Sequence, residues 1–228
     1  MKSAVAISYE LDDTAVAARQ LAAAIREKID LAAHAVGLLY CDADTDGATL
    51  TGALKEALGI EVAGMTTLAT LDTNGRHEAA AVLTVLTSDD CDFRVAVSAS
   101  LRTGDSAAAI EAAYHATVPA DAAADARPGL LWVCCPYGMP FSGDRYPEVL
   151  SRVAGDAPVM RGVASDDYDY ERARTFLSGA AYDDAMVIIS LWGGVQPAFS
   201  IRHVTSRFAE RIRRVSSAEG NVVYTVGD

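Results

Sequence analysis

Val36–Gly59 reads VGLLYCDADTDGATLTGALKEALG: an apolar run, three aspartates at alternate positions, a glycine, then an Ala- and Leu-rich stretch closed by a second glycine. That order predicts a buried strand, a polar corner and a short helix, because the first apolar run is continuous and the later apolar positions recur at helical spacing. Pro128–Gly155, PGLLWVCCPYGMPFSGDRYPEVLSRVAG, repeats the order. Similarity at that separation marks an internal duplication about 90 to 105 residues long.

Outward from these two corners the parallel continues. Upstream, Val5–Ser8 (VAIS) is echoed by Val95–Ser98 (VAVS), and each leads to an Ala-rich helical stretch with an aspartate at its start, Asp13 and Asp105. Downstream, IEVAGMTT from Ile60 answers APVMRGVAS from Ala157, which matches Gly64 with Gly162. AAVLTVL and FRVAVSA then close the first copy, and AMVIISLW and FSIRHV the second. In this scheme the last strand of copy one is also the first of copy two, so the repeats cover residues 1–98 and 95–205. The fold class expected is α/β: an internally duplicated domain with pseudo-twofold symmetry, mixed β-sheets inside and helices outside. Residues 206–228 break the pattern with a basic stretch holding Arg207, Arg211, Arg213 and Arg214, then a lone strand, NVVYTV. They read as the opening of a further domain, in a chain that is a fragment or a short version of something longer.

Composition narrows the function. With 228 residues, 51% of them hydrophobic, the chain can bury a full core. A formal charge of −12 works against docking on nucleic acid or anionic lipid. The N-terminus has no signal-peptide pattern, and no apolar run approaches the ~20 residues of a bilayer span. A cytoplasmic protein with no membrane span and no nucleic-acid partner is expected. Cys41, Cys91, Cys134 and Cys135 lie in or beside apolar runs without C-x-x-C spacing, and neighbours such as Cys134 and Cys135 point to opposite faces of one strand. His34, His77, His115 and His203 are too scattered for a zinc site or a triad.

The aspartates of the first corner suggest two chemistries. Asp42, Asp44, Asp46 and Gly47 satisfy the first half of an EF-hand loop, but position 12, which needs a bidentate Glu, is Ala53. Asp42 and Asp44, or Asp44 and Asp46, have the two-apart spacing of a haloacid-dehalogenase-type phosphatase. That chemistry needs a downstream cation for the phosphoryl group, and no Lys follows Lys55. No P-loop, G-x-S-x-G elbow, G-x-G-x-x-G or H-E-x-x-H is present. The second corner carries no acid until Asp144, so the duplication does not preserve a catalytic D-x-D. Asp46 or Thr49 instead suits the N-cap of the following helix.

Non-covalent recognition has better candidates in GMTTLAT (Gly64–Thr70) and GVASDDYDY (Gly162–Tyr170), where hydroxyl residues follow a glycine. Gly64, Thr66, Thr67, Gly162, Ser165 and Asp166 are the expected ligand-binding residues, with a carboxylate on Thr66 and nearby N–H groups and an ammonium on Asp166. Tyr137 and Phe141 are expected as an apolar lid.

EVAGMTTLATL (Glu61–Leu71) and PVMRGVASDDYDYERARTFLSGAAYDDAMVIISLWG (Pro158–Gly193) resemble the glycine-centred elements of the FIST family, N-terminal domain, over residues 30–205. The tail from Ser206 resembles the entry to the FIST C-terminal domain. The resemblance implies a non-enzymatic intracellular sensory domain for signal transduction, coupled to a signalling output module and binding small ligands such as amino acids. Met65 stands where a Cys is common, and Arg161 where the first of two glycines is expected. No cofactor is required. A branch of the family is similar to haem-based nitric oxide sensors, and Cys135-Pro136 keeps a haem-binding gas sensor as an alternative, beside the D-x-D phosphatase.

Overall fold

The computed structural model describes residues 1–72, 74–141, 143–168, 171–200, 215–219 and 222–227. Apolar runs form strands and the aspartate-led stretches form helices. The first half contains β1 (Lys2–Ser8), α1 (Thr14–Lys28), β2 (His34–Cys41), α2 (Gly47–Leu58), β3 (Glu61–Thr66), a short hairpin of β4 (Thr70–Asp72) and β5 (Gly75–His77), and β6 (Ala81–Ser88). The second contains β7 (Cys91–Val97), α3 (Ser106–Ala116), β8 (Leu130–Cys135), α4 (Arg145–Ala154), β9 (Val159–Val163), a hairpin of β10 (Thr175–Leu177) and β11 (Ala180–Tyr182), and β12 (Val187–Gly193). The tail adds β13 (Val215–Glu219) and β14 (Val222–Val226).

Side chains set the starts of α1, α2 and α3. Asp13 accepts hydrogen bonds from the N–H groups of Ala15 and Val16, both at 3.0 Å, and Asp105 does the same for Ala107 and Ala108. Asp46 caps α2 through the Thr49 N–H at 3.0 Å, and Gly59 ends it in the left-handed region at φ 70°.

Strand order is β1-β6-β2-β3 in one sheet and β7-β12-β8-β9 in the other. In each, the last two strands are parallel and the remaining pairs antiparallel. The chain is thus a mixed α/β fold in which the second half repeats the connectivity of the first. One detail departs from the sequence expectation. β7 is not shared between copies, because β6 is already paired on both edges, with β1 and β2, and offers β7 no place. The chain leaves the first sheet there, and β7 pairs with β12.

The halves are joined by the second hairpin. β10 pairs antiparallel with β3, Phe176 opposite Gly64, and so extends the first sheet to six strands. Phe176, 2% exposed, then packs in the first half's core with Leu50 and Leu54. The β4–β5 hairpin remains a separate two-stranded sheet. NVVYTV is not a lone strand, since β14 pairs with β13. The expected strand FSIRHV, from Ile201 onward, and the basic stretch to Arg214 lie outside the described residues.

Alternation along the strands builds three cores. Leu39, Cys41 and Val62 face α1 and α2 with Leu21, Ile25 and Leu54. Leu131, Val133 and Cys135 face α3 and α4 with Ile110, Tyr114 and Leu150. The opposite faces, with Val36, Leu38, Met65, Cys134, Val187 and Ile189, pack against each other. Helices therefore lie outside two stacked sheets, and each fully buried aliphatic side chain contributes about 1.5–3 kcal/mol.

Candidate functional site

Gly64 and Gly162 lie inside strands. Gly64 sits opposite Leu39 in β2, where an added Cβ would fall 2.0 Å from the Leu39 carbonyl oxygen. Gly162 sits opposite Cys134, where an added Cβ would fall 2.2 Å from Met65 Cε. Cys41 pairs with Thr66, and its counterpart Cys135 pairs with Val163. By register Gly162 therefore corresponds to Met65 and Arg161 to Gly64, one residue away from the match read in the sequence. A slip of one residue exchanges the faces of a strand.

The segments after β3 and β9 do come together, but they bond to each other. The Ser165 N–H donates to Thr66 O at 3.1 Å, and Ser165 Oγ accepts from the Leu68 N–H at 3.2 Å. Thr66 Oγ1 accepts from the Arg174 N–H at 3.0 Å, and Asp166 Oδ2 from the Arg172 N–H at 3.0 Å. Thr66 and Asp166 are 1% and 3% exposed. These groups seal the junction between the halves. Tyr137 lies apart, on a surface crevice with Arg102, Glu171 and Asp183 and on an apolar one with Phe141 and Tyr146.

Thr67 lines a different space, a cavity of about 410 Å³ between the sheets, at the carboxyl ends of β2 and β3 where α/β folds hold ligands. Val82 and Thr84 of β6 and Tyr40 of β2 form one side, on the face that carries Leu38 and Leu86, and Trp132 of β8 contributes from the other sheet. Trp132 Nε1 donates to Tyr40 Oη at 3.0 Å. Burial, reinforced by Cys134, pushes the Tyr40 phenol above its ordinary range despite that bond, so it remains a donor. Thr70 and Leu71 of β4 complete the wall, and among the described lining residues only Tyr40 is ionisable. Thr67 Oγ1 donates to Ala69 O at 3.0 Å. Thr70, 3% exposed, has its Oγ1 buried with no hydrogen-bond partner, an arrangement that costs about 1–3 kcal/mol. A larger depression, about 860 Å³, lies at the other strand ends, where Lys55 is already paired with Glu61 at 2.7 Å.

Tyr40, Thr84 and Trp132 were not singled out in the sequence, and Thr70 entered only as the end of the candidate stretch GMTTLAT. The signal that carried two of them was the aromatic residue inside each buried run, GLLYC and GLLWV.

The aspartates of the first corner are all engaged, two within the corner and one with the second half. Asp42 accepts from the Thr45 N–H and hydroxyl at 2.9 and 2.7 Å, Asp44 pairs with Arg172, and Asp46 caps α2. Cys135 is fully buried in the core beneath α3 and α4, and burial pushes its thiol up to about 12. Among the described residues no three His, Cys, Asp or Glu side chains form a metal-binding group, and no helix is long and apolar enough to cross a membrane.

A comparison with curated proteins finds no match. The family model described as the FIST N domain matches residues 35–228, from β2 through the tail. With most of its length in that match, the chain belongs to the FIST N domain family, whose members are generally sensory domains of signalling proteins.

Proposed function

We propose that this chain senses a small molecule in the cavity between its two sheets, without catalysis, and passes occupancy to a signalling output module in the cytoplasm. The observation that carries this reading is the cavity itself, lined by Tyr40 from one half and Trp132 from the other, with the unpartnered Thr70 hydroxyl buried in its wall. A ligand touching both halves favours the closed arrangement over a looser one by its difference in affinity for the two. The engagement of Asp42, Asp44 and Asp46 in turn, ion-pair and cap contacts supports a non-enzymatic role.

A thermal-shift screen of metabolites tests the reading. A ligand at about 100 times its Kd adds about 2.7 kcal/mol, which at this chain length raises Tm by roughly 5–10 °C. Thr70→Val removes the unpaired hydroxyl, so it should raise the ligand-free Tm by roughly 2–4 °C while reducing the ligand shift. A screen without a hit, or a hit whose shift is the same in Thr70→Val and Trp132→Leu, overturns the proposal.

A further inference from the structure

Resting on the same cavity, we infer that its ligand is an uncharged, ring-containing, largely apolar molecule with one or two hydrogen-bonding atoms, and not an amino acid. None of the described lining residues carries a fixed charge, and Tyr40, whose phenol burial holds protonated, is the one among them that can ionise. A zwitterion would bring a carboxylate and an ammonium to a wall of Leu71, Val82, Ala69 and aromatic rings, which pairs neither charge. Asp166, the carboxylate that would answer an ammonium, is buried in the junction and does not line the cavity.

What the wall offers is hydroxyl chemistry beside aromatic faces. Tyr40 Oη already accepts from Trp132, which leaves its own proton to donate, and Thr70 Oγ1, buried in the wall without a partner, can donate and accept once a ligand reaches it. A carbonyl, a hydroxyl or a ring N–H satisfies these groups, and a flat ring suits Tyr40 and Trp132. At roughly 30 Å³ for each water-sized group, the space admits about 10 to 15 non-hydrogen atoms. Simple aromatic alcohols, aldehydes, ketones and indoles have that size and polarity.

Matched probes separate the ligand class from the cavity itself. Indole against tryptophan, 4-methylphenol against tyrosine, and benzyl alcohol against benzoate share a ring and differ in charge. Titration followed by tryptophan fluorescence, with thermal shift alongside, should give the neutral member of each pair at least tenfold tighter binding. Tyr40→Phe and Thr70→Val should each weaken binding about fivefold, the equivalent of one hydrogen bond. If the charged members bind as tightly and Thr70→Val weakens them, the ligand class is wrong and the cavity stands. If no probe binds, or binding is indifferent to both substitutions, both the class and the cavity are overturned.

Discussion

Gly64 and Gly162 are alike in sequence and unlike in what they permit. At Gly64 an added Cβ meets backbone, 2.0 Å from the Leu39 carbonyl oxygen, and backbone inside a paired sheet cannot move aside. At Gly162 it meets Met65 Cε, the free end of an adaptable side chain. Gly64→Ala should therefore cost about 3 kcal/mol and Gly162→Ala about 1 kcal/mol or less, read from urea midpoints. Equal losses would show that β3 and β9 are equally constrained. The sequence marked both positions as matched glycines each followed by hydroxyl residues, and a glycine within a strand is where backbone or ligand comes close. It suggested a ligand because nothing local distinguishes a neighbour's carbonyl from a bound molecule.

At the scale of elements, the corner DADTDGATL resolves into a turn and a cap. Hydrogen bonds from the Thr49 hydroxyl, the Thr49 N–H and the Ala48 N–H hold the Asp46 carboxyl below its ordinary range, against a small opposing effect of burial. A folded-state pKa below the unfolded one stabilises at pH above the unfolded value, about 3.9, and the gain is lost as pH falls through the folded value. Asp46→Ala should cost about 1 kcal/mol at pH 7, and the difference from the parent should vanish in strong acid; Asp46→Asn, which still caps, should cost less. A loss independent of pH would assign the effect to something other than the carboxylate. Helix starts at Asp13, Asp46 and Asp105 were legible because a cap is a bond between near neighbours. The β10–β11 hairpin was not legible: three-residue strands carry little periodicity, and their partner β3 lies more than a hundred residues away in the chain.

Across the whole molecule, Phe176 is the side chain that belongs to one half by sequence and to the other by packing. It lies against Gly47, where an added Cβ would fall 2.3 Å from its ring, and is buried with Leu50 and Leu54. Phe176→Ala should cost about 3–5 kcal/mol and broaden urea unfolding as the halves begin to melt separately. A loss under about 1 kcal/mol would show that the hairpin contributes little to holding them together. Strands, helices, caps and the repeated order of elements were determined by the sequence itself, because each depends on residues a few positions apart: apolar period, a side chain that caps its own helix, a glycine at a helix end. Register, the home of β7, the exchange of β10–β11 and the cavity between Tyr40, Thr70 and Trp132 were decided only by tertiary structure. Each depends on which of several chemically similar apolar faces meet, and that choice rests on shape complementarity among residues distant in the chain, which composition and spacing do not encode.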